Sequence, residues 1–462
     1  MENKKNKYNK IVIRVVIFVC VLLTIYLGLS AYFVKHFYFG SIINGISVSG
    51  KTIEEAENKI SSEIGNYTLE LEERGDIKEH IKANYIDLKY NQNGKIKLFK
   101  DAQKPFAWIY KIFNKKNTEL SEVVTYDKEL LEECIDNLSC LDKDNIIEPK
   151  NANLKYTDNG YEIVNESYGN KINKEILYDN VIFAIINGKT KLNLDLLDCY
   201  EDPKYTADSK EIAQAKDSLN KYTSSMITYT FGGRAELLDG SIINNWLKLD
   251  ENCKVIFDEE KIREYINTLG ETYNTFGKTR DFLTSLGTTV KVSGGNYGWL
   301  INNSKEVDDL INTIKEGQAK TKEPIYTLTA KSRDYNDIGK TYVEINLTKQ
   351  HLWFYKNGSI LVEGDIVSGS ISNNCATPSG TYRLNYKQKD ATLKGEGYSS
   401  PVNFWMPFNG GVGIHDASWR YVFGGQIYKT NGSHGCVNAP YYLAKTIFEN
   451  IDSDTPIICY SE

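Results

Sequence analysis

Ser433-His434-Gly435-Cys436-Val437-Asn438 brings a hydroxyl, an imidazole and a thiol together within six residues, at the junction of a strand and a loop. A cysteine attacks as its thiolate, so it needs a neighbour to take its proton. A neutral histidine, which titrates near neutral pH, suits that task. The chain has five histidines, and two lie near Cys436 in sequence. His434 stands two positions before it and shares its face if the segment is extended. His415 closes the apolar run Val412-Gly413-Ile414 and can face the cysteine across paired strands. Gly435 lets the backbone approach a substrate closely, and the amides of Gly435 and Cys436 could hold the oxyanion of a tetrahedral intermediate. Two plainer readings compete. A lone cysteine in a β-domain is usually a core residue, and His-x-Cys with a distant histidine can be part of a metal site. The further ligand candidates, His351, Cys375 and Asp416, form no familiar zinc spacing, so the activated thiol is the stronger reading and no metal or other cofactor is expected.

Working outward, residues 342–347, 352–356, 360–367, 380–386 and 412–414 are short alternating or apolar runs separated by turns such as Asn357-Gly358. They predict a mostly-β C-terminal domain over 341–461. It carries one helix at 441–451, with Pro440 at its first turn and Asp452 beyond its end. The stretch 331–340 is polar and suits an exposed linker. Before it the chain repeats itself loosely: a strand at 161–165, a helix at 173–186 and a strand at 192–196 recur as 297–301, 307–316 and 325–328. Two α+β lobes are expected, 35–200 and 201–330. Thr52 and Glu55 have the spacing of a capping box for a helix through Ala56 and Ile60.

Residues 15–34 form a run of twenty without a charge. At about 1.5 Å per residue they match the roughly 30 Å apolar core of a bilayer. Lys4, Lys5, Lys7, Lys10 and Arg14 precede the run, so a cytoplasmic tail at 1–14 and a transmembrane helix at 15–34 are expected, with the rest outside. A cleaved signal peptide is the alternative, but the run exceeds a usual apolar segment and no small-x-small site follows. Seven cysteines then lie outside, an odd number with scattered spacing unlike a disulfide framework. A net charge of −6 provides no basic footprint for a polyanion and argues against nucleic acid as a partner.

Gly413-Ile414-His415 followed by Gly432-Ser433-His434-Gly435-Cys436-Val437-Asn438 resembles the signature of the YkuD-type L,D-transpeptidases. Four further stretches match the family's pattern: Gln350-His-Leu-Trp-Phe-Tyr-Lys-Asn-Gly358, Val367-Ser-Gly369, Thr377-Pro-Ser-Gly-Thr-Tyr382 and Met406-Pro407. The lobes, through Asn44-Gly-Ile-Ser-Val-Ser-Gly50 and Glu54-Glu-Ala56, resemble the peptidoglycan-binding modules that precede such domains. The resemblance implies that Cys436 attacks the carbonyl of the third stem-peptide residue, with His415 as base. Ser433, His434, Gly435 and Asn438 would shape the oxyanion and substrate site, a 3-3 cross-link would be the product, and no cofactor would be needed. It also implies peptidoglycan stem peptides and glycan as partners and carbapenems as covalent inhibitors. An L,D-carboxypeptidase with the same residues and a non-catalytic wall-binding scaffold remain as alternatives. Many members have His-Gly or His-Ser where this chain has His415-Asp416. The resemblance points to a backbone carbonyl as the group that orients the imidazole, while Asp416 could add its carboxylate or face solvent. Cys375 is unusual and could lie near the pocket or pair with another cysteine.

Overall fold

The computed structural model describes residues 2–113, 117–118, 120, 123–333, 336–395 and 398–462. Its contacts separate two compact units, Met1–Asn153 with Ile163–Ser209, and Leu154–Glu162 with Lys210–Glu462.

The first unit begins with the helix Glu2–Lys35. Its segment Asn6–Lys35 is long and apolar enough to cross a membrane. Large apolar side chains stand uncovered from Ile11 to Leu27. From Tyr26 onward one face is covered by the same unit: the Tyr26 hydroxyl donates to the Phe106 carbonyl (2.8 Å), Trp108 Nε1 donates to Ser30 Oγ (3.2 Å), and Phe33 is buried. The helix Ile53–Gly65 starts with the capping box read from sequence, Thr52 and Glu55 each bonding the other's backbone. A three-stranded sheet follows, in the order Lys191–Asn193, Thr68–Glu72, Lys78–Lys82, with the first pair parallel and the second antiparallel.

The second unit repeats that arrangement in Ala319–Lys322, Met226–Phe231 and Arg234–Leu238. The strand expected at 325–328 to close this repeat has another role, since Tyr326–Leu328 pairs with Leu300–Ile301. The closing strand, Ala-Lys-Thr-Lys, lacks apolar alternation, which is why the sequence hides it. It is held by its parallel partner and by Lys322, whose ammonium bonds Glu306 and Asp309 while Glu306 accepts the Tyr229 hydroxyl. The exposed linker expected at 331–340 is anchored instead. Asp337 and Ile338 are buried, with Arg280 Nε and Nη2 on the Asp337 carboxylate at 2.8 and 2.7 Å and the Tyr297 hydroxyl on its carbonyl at 2.9 Å. Polar side chains bury when their charges are paired, and no composition rule registers the partner.

The C-terminal part of this unit is mostly β. A five-stranded sheet runs Ser359–Asp365, His351–Lys356, Tyr342–Asn346, Pro456–Tyr460, Gly380–Arg383. A four-stranded sheet runs Gln388–Gly395, Tyr398–Asn409, Val412–Asp416, Val437–Ala439. Asn357 and Gly358 both have positive φ, as their turn requires. The helix Tyr441–Asn450 follows Pro440 and turns Leu443, Ala444 and Ile447 into a core shared with Val343, Phe354, Met406, Ile414 and Val437.

Candidate active site

The strands Val412–Asp416 and Val437–Ala439 pair in parallel, with Ile414 opposite Val437, His415 opposite Asn438 and Asp416 opposite Ala439. Side chains alternate across a sheet. Ile414 and Val437 enter the apolar core, so His415 and Asn438 take the other face, and Cys436, two residues before Asn438, belongs to that face as well. A cavity of about 170 Å³ opens there, lined by His415, Ser433, His434, Cys436 and Asn438, and also by Trp419 and Arg420.

His434 is exposed at the mouth. The extended geometry that would carry it alongside Cys436 is broken at Gly435, where φ is +119°. A short network fixes this turn. The Gly435 amide donates to Ser433 Oγ (3.0 Å), Ser433 Oγ donates to the Cys436 carbonyl (2.5 Å), and the Thr377 hydroxyl donates to the Gly435 carbonyl (2.7 Å). The Gly435 amide, expected as an oxyanion donor, is therefore engaged by Ser433. Thr377 Oγ1 also accepts the Gly369 amide at 2.9 Å. A Cβ at Gly369 would stand 1.9 Å from the Cys375 carbonyl oxygen and 2.9 Å from Gly435 Cα, so this close approach needs glycine. The Val367-Ser-Gly369 segment bonds to the motif on its other side, through Asn438 with Val367 and Ser433 with Ser368 and Ser370.

His415 is 3% exposed, and its Nδ1 lies 3.0 Å from the Asp416 backbone carbonyl. With Nδ1–H donated to that carbonyl, Nε2 carries the free lone pair. The Asp416 carboxylate is in neither of the two expected places. It is buried and turned away from the imidazole, accepting the Asn403 amide (2.8 Å), Asn403 Nδ2 (2.7 Å) and the Phe404 amide (2.8 Å). This ties the long strand Tyr398–Asn409 to the histidine strand.

Burial lowers the His415 pKa from its ordinary value, against the pull of the Asp416 carbonyl, and the Arg420 charge lowers it further. Burial raises the Cys436 thiol, opposed by the Gly413 amide. Both shifts favour the uncharged forms of the two groups. The thiol donates to the Gly411 carbonyl at 3.4 Å.

Among the described residues no disulfide joins the cysteines, and Cys375 bonds the Asn373 carbonyl beside the Gly369 loop. Elsewhere, in the first unit, the ligand-type atoms of Glu73, Glu79 and Cys140 lie within 4.8 Å of one another. There burial and the neighbouring Glu79 raise Glu73 to about 7, while Glu79 accepts two amides and the Ser139 hydroxyl.

Arg420, Trp419, Thr377 and Asn403 join or support the site without having been expected there from sequence. Only Thr377 left a local trace, in the Thr-Pro-Ser-Gly stretch.

Two family models match the chain. The L,D-transpeptidase catalytic domain of the YkuD type covers residues 340–459, and a model described as "Putative peptidoglycan binding domain" covers 79–193 and again 205–322. The chain belongs to the L,D-transpeptidases. Its catalytic domain of this family is C-terminal and is preceded by two peptidoglycan-binding domains. Solved structures of other family members resemble it. A mutant of Enterococcus faecium L,D-transpeptidase, with cysteine changed to serine, is 36% identical over 55% of this chain and 100% of that one, with a TM-score of 0.46. The catalytic domain of E. faecium L,D-transpeptidase acylated by ertapenem is 44% identical over 26% of this chain and 98% of that one, with a TM-score of 0.25. Among curated proteins no relative matches.

Proposed function

We propose that this L,D-transpeptidase makes 3-3 cross-links through a thioester on Cys436. The observation that supports this most is the single cavity lined by Cys436, His415 and Asn438 from two paired parallel strands. His415 Nε2 takes the thiol proton as sulfur attacks the carbonyl carbon at the L-centre of the third residue of a tetrapeptide stem. The carbon–nitrogen bond to the terminal D-alanine breaks, and the imidazolium returns its proton to the leaving amine. The side-chain amine of a second stem then attacks the thioester and gives its proton to His415, releasing the thiol. With both pKa shifts favouring uncharged groups, proton transfer would accompany attack. The Cys436 amide, at the turn set by Gly435, is the proposed oxyanion donor. Asn438 and His434 would contact substrate, and Ser433 would hold the turn.

The catalytic domain is taken as 341–461, with glycan-binding lobes at 35–200 and 201–330. The apolar helix over 15–34 would anchor the chain with residues 1–14 in the cytoplasm and the site at the wall. The ertapenem adduct named for the E. faecium domain supports carbapenems as acylating inhibitors here too.

The test is incubation of the full-length chain with disaccharide-tetrapeptide, followed by mass spectrometry. Dimers lacking one D-alanine per link are expected. Tripeptide alone would mean a carboxypeptidase, and unchanged substrate would refute the enzymatic reading.

A further inference from the structure

Among the described residues, Arg420 is the guanidinium lining the cavity of Cys436 and His415. Its Nη2 donates to the Asn431 carbonyl at 2.8 Å, which fixes the guanidinium, while its Nε is buried and has no partner. Among the described residues no carboxylate forms an ion pair with it. Across the same cavity, Asn438 Oδ1 is also buried without a partner. Arg420 as a whole is only partly buried, but unpartnered buried polar atoms such as its Nε are rare enough in folded proteins to call for an explanation. Water alone is a poor one for a guanidinium, whose planar fork matches a carboxylate.

We propose that Arg420 is a specificity residue that binds a substrate carboxylate in the cavity beside Cys436. This rests on the transpeptidase reading of the same site. The terminal residue of the donor stem supplies both groups the cavity lacks: a carboxylate for Arg420 and, at the scissile bond, an N–H for Asn438 Oδ1. Arg420 thereby reads where the stem ends. A stem with one more residue would place its carboxylate beyond the guanidinium. The side-chain carboxylate of a diaminopimelate at the third position offers the same chemistry from another source. Arg420 makes no bond to a reacting atom, so its contribution appears in recognition.

The experiment measures kcat/KM of the full-length protein, as wild type, R420Q and R420K, on three donors. These are the tetrapeptide, the tetrapeptide with a C-terminal amide, and the tetrapeptide with lysine in place of diaminopimelate. Alkylation of Cys436 by uncharged iodoacetamide reports whether the site is intact in each variant. With a charge-assisted bond lost, R420Q is expected to lower kcat/KM on the tetrapeptide about tenfold to a hundredfold, mostly through KM. R420K should fall in between. The penalty should be at least tenfold smaller on the amide if the terminal carboxylate is read, or on the lysine donor if the side-chain carboxylate is read. Either pattern supports the subsite and names its source. Equal penalties on all three donors, or a matching loss of alkylation rate, would overturn it. A wild type that turned over none of the donors would overturn the transpeptidase reading itself.

Discussion

The two sheets of the catalytic domain each bury a carboxylate and satisfy it, but they differ in what lies beside them. In the five-stranded sheet, Pro456–Tyr460 is buried at every position. Its buried acid is matched there: the Glu344 carboxylate accepts the Ser285 amide and hydroxyl and the Tyr460 hydroxyl. Apart from the Thr381 hydroxyl, partnerless buried polar atoms are absent from its strands among the described residues. The four-stranded sheet buries an imidazole and a carboxylate in adjacent positions, and Asn438 Oδ1 and Arg420 Nε beside it have no partner. One sheet is built for stability. Beside the other lie unpartnered atoms that the proposed carboxylate subsite would use, and local rules of folding are broken where function is expected.

The sharpest way to separate the sheets is Cys436→Ala. Activity should fall by more than about a thousandfold, as for the loss of a nucleophile, while the melting temperature stays within a degree or two, because the change removes only a partly exposed sulfur. A large drop in melting temperature would mean that the thiol is structural. Phe354→Ala probes the other sheet. This fully buried ring should cost about 3–5 kcal/mol in denaturant unfolding, with the rate of Cys436 alkylation in the folded fraction unchanged. Coupled loss of both would show that the sheets are not separable.

Thr377→Val should have an intermediate effect, because it strands the Gly369 amide and the Gly435 carbonyl together. A loss of about 1–3 kcal/mol per unmade buried bond is expected, along with slower turnover as the Gly435 turn loosens. Unchanged kinetics would mean that the turn holds without its bridge. The smallest effect is that of pH. The folded pKa of His415 lies below its ordinary value of about 6.5, so the unfolded chain binds the proton first. The stability this group contributes is complete above about pH 6.5 and is lost as pH falls toward the folded value. The acid limb of kcat/KM should lie below 6.5 for the same reason. Cys436 is shifted upward, so its alkylation rate should keep climbing through pH 9 instead of levelling near neutrality.

The sequence exposed what is local and periodic. The Ser433 to Asn438 motif, the apolar run ending at His415, the capping box at Thr52 and the helix after Pro440 each lie within a few residues, and the structure brings Cys436, His415, Ser433, His434 and Asn438 to one cavity. What it concealed depends on distant partners. Arg420 resembles any surface arginine until Asn431 and the cavity surround it. The Asp416 carboxylate was out of reach because its acceptor role needs Asn403 and Phe404 on a neighbouring strand. Asp337 looked like linker because Arg280, 57 residues away, is what buries it. The strand Ala319–Lys322 has the composition of a loop and is a strand only because Met226–Phe231 pairs with it.

The central claim is that Cys436 carries the acyl group. Its most direct test is intact-mass analysis of the full-length protein, quenched in acid within seconds of mixing with disaccharide-tetrapeptide, followed by peptide mapping. A thioester adduct equal to the donor minus D-alanine is expected on the peptide containing Cys436, released by hydroxylamine and missing in Cys436→Ala. An adduct on any other residue, or cross-linked product formed by the Cys436→Ala protein, would contradict it.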